Sequence, residues 1–260
     1  MSDIIVLKCG GSTVDELSSC FFENIATLKK AGLKPVIVHG GGPAIKEMLT
    51  KLEIETEFID GLRKTTEDVM DVVEMILTGT INNSLTKRLN DAEIKSVGIS
   101  GADANLLTAE AIHYERYGLV GDITKVNEAF IHQLLELDIV PVIAPIALGE
   151  DGSRFNVNAD TAAGAVARAL NAKQLIFVTD VPGIMHQEEL LEFVTEQEVE
   201  ELIQSGIIYG GMIPKVQAAI ASLNTDLHEV AIVNGKDSSL RSNTSFVGTI
   251  IRKTVEVNQS

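Results

Sequence analysis

Short apolar runs alternate along this chain with stretches whose apolar positions recur every three to four residues. The runs at 4–9, 35–39, 96–99, 140–145, 174–179 and 229–233 are short and rich in Val and Ile, as strands covered on both faces are. Between them, helical periodicity predicts helices over 15–30, 43–52, 67–78, 82–90, 127–137, 160–170, 196–204 and 213–224. Gly32 and Gly206 stand where helix C-caps belong. Pro43 stands at a first helical position, where a missing N–H costs nothing. This alternation predicts βαβ units and an α/β fold: a three-layer αβα sandwich around a mainly parallel sheet.

Three stretches break the pattern. Residues 55–63 and 111–126 read as β-hairpins, and a third hairpin turns at Glu150, Asp151 and Gly152. Hairpins added to a parallel sheet are expected to form lids over a ligand crevice, which in open α/β sheets lies beyond the carboxyl ends of the strands.

The chain has 260 residues, 45% hydrophobic and 22% charged, which suits one domain or two closely joined lobes. Aromatics are scarce and Trp is absent, so Val, Ile, Leu and Ala must build the core. The formal net charge of −16 argues against nucleic acid and anionic membranes as partners. Any anion site must then be a local exception made of a few Lys or Arg and of backbone N–H groups. Two cysteines, Cys9 and Cys20, provide neither a disulfide framework nor metal spacing, and a reduced compartment is the simpler reading. With no signal peptide and no bilayer-length apolar stretch, a cytoplasmic location is expected.

The candidate chemistry starts at two glycine turns. The first apolar run leads into Lys8, Cys9, Gly10 and Gly11, and the second into His39, Gly40, Gly41 and Gly42. Each lies where a strand ends and a helix begins, so each is either a tight βα turn or a backbone cradle for an anion. Lys8, at the exit of a buried strand, needs an anion, a carboxylate or a route to solvent. Lys215 opposes the dipole of the helix it starts, which makes sense if it shares a phosphate with that helix end. Asn156, Asn158 and Asp160 alternate and fall on one face if extended; Asp160 is compatible both with a site wall and with an N-cap. Arg63 could grip a carboxylate with its two-pronged guanidinium, or lie at the surface. Walker, HRD and DFG sequences, a G-x-G-x-x-G fingerprint, a G-x-S-x-G elbow and metal-spaced histidines are all absent from the sequence.

KCGGS, VIVHGGGP, DGLRKT, FNVNAD, FVTDVPGI and GGMIPK occur in the order seen in the acetylglutamate kinases of the amino acid kinase fold, and the resemblance spans nearly the whole chain. It implies transfer of the γ-phosphoryl of ATP to the γ-carboxylate of N-acetyl-L-glutamate, the second step of arginine biosynthesis. Lys8 and Lys215 resemble the two lysines that neutralise the phosphoryl in flight. Asp160 resembles the carboxylate that orients both. Gly10 and Gly11 would offer N–H groups to the transferred phosphoryl. Gly41, Gly42, Arg63, Asn156 and Asn158 would hold the acetylglutamate. Thr179, Asp180, Val181, Pro182, Gly183 and Ile184, with Ile207, Ile208, Tyr209, Gly210 and Gly211, would hold the nucleotide. Mg²⁺ would ride on ATP, with no protein metal site. The resemblance also implies lobes at about 1–172 and 173–260 within one domain, and a homodimer. With the first strand starting by residue 4, insensitivity to arginine is expected. A kinase for another carboxylate, such as an N-acylated aminoadipate, or a non-catalytic sensor keeping the fold, are the alternatives.

Overall fold

Val- and Ile-rich segments pair into one eight-stranded sheet in the computed structural model, which describes residues 2–223 and 227–253. Its strands are β1 (Ile4–Cys9), β2 (Lys34–His39), β3 (Ser96–Ser100), β4 (Val140–Ala144), β5 (Gln174–Thr179), β6 (Phe193–Thr195), β7 (Glu229–Asn234) and β8 (Gly248–Arg252). Their order is β6-β8-β7-β5-β1-β2-β4-β3. All pairings from β7 to β3 are parallel, as expected. Two strands were not foreseen: β8 pairs antiparallel with β7, and β6 runs alongside β8. β6, a three-residue edge strand, is too short to carry a periodicity of its own.

β1 lies at the centre, and the chain leaves it toward β2 on one side and returns at β5 on the other. The carboxyl ends of β1, β2 and β5 therefore meet at a topological switch point, which is where α/β sheets bind ligands. Side chains alternate along β1, so Lys8 shares a face with Ile4 and Val6, and Cys9 faces the opposite way. Cys9 is buried, and burial pushes its thiol up to about 12, which leaves it inert.

The helices are α1 (Ser19–Lys30), α2 (Gly42–Lys51), α3 (Glu67–Glu74), α4 (Asn82–Asp91), α5 (Glu128–Glu136), α6 (Ala159–Ala169), α7 (Glu196–Gln204) and α8 (Met212–Ser222). Positive φ at Gly32 and Gly206 matches the C-cap reading. The helix expected over 15–30 is broken. A single 3-10 turn, Val14–Glu16, is followed by extended Leu17, and Ser18 caps α1 by accepting from Phe21 N–H. The Arg88 guanidinium holds the break open by donating to the carbonyls of Val14 and Leu17. Conversely, the gap expected between 78 and 82 is closed. A π-helical segment, Met75–Ile81, runs α3 into α4, with Asn82 N–H donating to Leu77 O. The last position of the helix expected to end at 224 lies outside the described residues.

The hairpin at 55–63 forms from Phe58–Ile59 and Leu62–Arg63, with Asp60 and Gly61 both at positive φ, as a type I′ turn requires. The hairpin expected to turn at Glu150, Asp151 and Gly152 also forms, from Ile146–Leu148 and Arg154–Val157 paired antiparallel. The one expected at 111–126 begins earlier, at Leu107–Ala111, and its connection contains the helical turn Tyr114–Tyr117 before Val120–Val126. Instead of two separate lids, these strands join Ile146–Leu148 and Arg154–Val157 in a closed four-stranded barrel beside the main sheet. Closure removes the exposed edges that free hairpins would leave.

Candidate functional site

The two glycine turns touch. A Cβ on Gly11 would lie 2.6 Å from Gly41 N and 2.7 Å from Gly42 N, so only glycine permits the approach. A Cβ on Gly41 would meet Ile81 Cδ1 at 2.4 Å and Leu77 Cδ2 at 2.6 Å, side chains that the π-helical segment presents. Beyond these turns lies an open cavity of about 210 Å³. It is lined by Lys8, Gly11, Gly41, Gly42, Arg63, Asn156, Asn158 and Asp160, residues of the sequence-predicted set drawn from four separate segments. Apolar walls from Ile45, Phe58, Leu62, Leu77, Val120 and Pro145 complete it, and these the sequence reading did not find. They resemble any other core or hairpin residue until the chain is folded.

Lys8 Nζ lies 2.7 Å from Asp160 Oδ1, half-sheltered by the cavity. Asp160 is not the helix cap. Asn158 fills that role, its Oδ1 accepting from Asp160 N–H at 2.8 Å and Thr161 N–H at 3.2 Å. The Asp160 carboxylate is thereby left for Lys8.

Arg63 is 7% exposed. Its guanidinium donates to Thr56 Oγ1 and Gly42 O and stacks over the Phe58 ring at 4.6 Å. Burial draws its pKa below the ordinary arginine value, yet no carboxylate among the described residues pairs with it. A buried cation with only neutral partners on a cavity wall is prepared for an anion. Thr65, buried in the same DGLRKT segment, donates to Arg63 O and accepts from Asn156 Nδ2 at 3.1 Å. It ties the two binding candidates together, a role the sequence reading missed although the motif contained it.

The other predicted residues form a second group, outside this cavity. Lys215 Nζ pairs with Asp180 Oδ1 at 2.6 Å, so the carboxylate expected to serve both lysines is divided between Asp160 and Asp180. The hydrogen bond from Lys215 holds the Asp180 carboxyl below its ordinary value. Thr179 turns its hydroxyl inward to Val181 O and Val233 O. Gly183, at φ +141, lies so near Thr249 that a Cβ would meet its Oγ1 at 2.5 Å, and Ile184 N–H donates to that hydroxyl. Val181 is half-buried against the core and Pro182 is exposed. Ile207 and Ile208 close the end of α7 through Leu202 O, Gly210 has positive φ, and Gly211 precedes α8. Tyr209 is 76% exposed. Gly10 is pinned by its N–H to Val178 O, with Thr13 Oγ1 donating to Gly10 O. None of this second group lines the 210 Å³ cavity.

Residues 3–234 match the amino acid kinase family. The acetylglutamate kinase of Halalkalibacterium halodurans is 51% identical over 255 residues, covering 98% of each chain. That of Bacillus pumilus is 51% identical over 256 residues, 98% of this chain and 99% of that one. The crystal structure of smu.665 from Streptococcus mutans UA159 superposes with a TM-score of 0.83 at 33% identity, covering 97% of this chain and 99% of that one. With full-length matches at this identity, the chain belongs to the amino acid kinase family and groups within it with the acetylglutamate kinases.

Proposed function

We infer that this chain transfers the γ-phosphoryl of ATP to the γ-carboxylate of N-acetyl-L-glutamate, the activity its relatives are named for. One observation carries the reading. A buried, carboxylate-free Arg63 and the Lys8–Asp160 pair face the same cavity, so a dicarboxylate can place one end on each. The α-carboxylate would lie on Arg63, with Asn156 on the amide end and the γ-carboxylate near Lys8.

The acceptor needs no base, since a side-chain carboxyl with a pKa of about 4.3 is already ionised at neutral pH. Its oxygen forms the new bond to the γ-phosphorus as the bond to the ADP oxygen breaks. Lys8 and Lys215 would neutralise the equatorial oxygens while Gly11 N–H donates to them. Asp160 and Asp180 each hold one of the two lysines. With both acidic groups engaged by lysines, Mg²⁺ would be held by the nucleotide and would supply charge neutralisation. The second group, around 179–184 and 207–211, is the reading for the nucleotide. The halves 1–172 and 173–260 then correspond to acceptor and nucleotide lobes. A cytoplasmic homodimer completes the proposal; no helix among the described residues is long and apolar enough to cross a membrane.

A coupled ADP-release assay with N-acetyl-L-glutamate, plain glutamate and an N-acylated aminoadipate tests it. Turnover confined to the first is expected. Turnover of the aminoadipate without the acetylglutamate would overturn the substrate assignment.

A further inference from the structure

His39 ends β2 beside the second glycine turn and is 0% exposed. Its Nδ1 lies 3.1 Å from Gly40 O. A carbonyl only accepts, so Nδ1 carries the proton and donates. Its Nε2 must then be the acceptor, and it lies 3.1 Å from Asn82 Nδ2. The Asn82 amide is oriented in turn. Its Nδ2 also lies 2.8 Å from Val142 O and 3.3 Å from Ile99 O, and an amide oxygen turned that way would face two carbonyls. Space for this amide is cleared by a glycine inside a strand: a Cβ on Gly98 would sit 1.9 Å from Asn82 Oδ1. Asn82 itself begins α4 where the π-helical segment ends, so the register of that segment delivers it to His39. Burial lowers the His39 pKa to about 4, in keeping with a neutral ring.

The consequence falls on the next peptide unit. In a trans peptide the N–H points away from the C=O. Holding Gly40 O toward the His39 ring turns Gly41 N–H the other way. Gly41 N is the atom a Gly11 Cβ would meet at 2.6 Å, in the seam between the two glycine turns that borders the cavity.

We propose that His39, oriented by Asn82, is a positioning residue that sets the Gly40–Gly41 peptide so that Gly41 N–H is aimed at the reacting group. This rests on the phosphotransferase reading above. His39 touches no substrate; it acts only through the glycine turn.

The test compares His39→Asn, whose amide N–H can reach the Nδ1 position, with His39→Gln, whose amide reaches only the Nε2 position. In the ADP-release assay with N-acetyl-L-glutamate, His39→Gln should lower kcat about a hundredfold, the size of losing one oriented backbone donor, with KM for ATP unchanged. His39→Asn should recover most of that loss. Rates are taken per folded molecule, from circular dichroism. Equal kcat in both variants and the wild type, or an Asn variant no better than the Gln variant, would overturn the proposal. Should either variant fail to fold, ¹⁵N-histidine NMR of the wild type decides. A neutral Nδ1–H tautomer is expected for His39, and an Nε2–H tautomer would refute the anchoring. A wild type that releases no ADP with acetylglutamate would instead refute the kinase reading and leave the tautomer result standing.

Discussion

Replacing Arg63 by Ala removes a buried guanidinium on the cavity wall that has no carboxylate partner among the described residues. If it receives the α-carboxylate, two charge-assisted hydrogen bonds are lost, each worth roughly 1.5–3 kcal/mol. The sum, about 3–6 kcal/mol, corresponds to roughly 10²–10⁴ in kcat/KM for N-acetyl-L-glutamate. The fold should suffer less. Two hydrogen bonds to neutral acceptors, Thr56 Oγ1 and Gly42 O, and the Phe58 stacking are given up, and relief of the desolvation of a buried cation offsets part of that loss. The assay pairs the variant with 4-acetamidobutyrate, an acceptor of the same length that lacks the α-carboxylate. The wild type should prefer acetylglutamate by the full 10²–10⁴, and Arg63→Ala should bring the two acceptors to near-equal kcat/KM. A variant that loses both acceptors equally, or keeps the full preference, would show that Arg63 does not read the α-carboxylate.

Other outcomes follow from the same geometry. Lys8→Arg should cut kcat at least about a hundredfold with an unchanged melting curve, since a planar fork cannot replace a point charge at Asp160; an unchanged kcat removes Lys8 from the mechanism. Gly11→Ala should lower both Tm and activity, because its Cβ would lie 2.6 Å from the backbone nitrogen of Gly41, whereas Gly42→Ala, with nothing within 4 Å, should leave Tm alone; similar melting of the two would contradict the packing argument. Lys215→Met should return the Asp180 pKa toward its ordinary value by NMR. Because the native pKa is depressed, the pair's stabilisation is present above the unfolded value near 3.8 and lost as pH falls through the native one, and at this exposure it should amount to less than about 1 kcal/mol. Light scattering should give a homodimer and arginine should not inhibit; a hexamer or arginine inhibition would contradict the expectation.

The α/β class and the parallel core of the sheet were legible from the residues alone, together with the glycine turns that border the cavity. Burial on both faces forces continuous Val and Ile, and strand ends that meet a ligand need glycine, so these signals are local and survive in one dimension. Lys8 and Gly11 were legible for that reason; Arg63, Asn156 and Asp160 took their expected roles from the family resemblance, and the cavity gathers all five. The partnerships came only with the fold. Asn158 rather than Asp160 caps α6 because the chain enters the helix with its cap two residues earlier. Lys215 takes Asp180, a residue 35 positions away, and Asn82 takes His39, 43 positions away. The barrel closes because strands at 107–111, 120–126, 146–148 and 154–157 find one another's edges. Hydrogen bonds and ion pairs act over about 3 Å of space whatever the separation along the chain, so periodicity shows which side chains are buried or exposed, and the fold chooses what each of them meets.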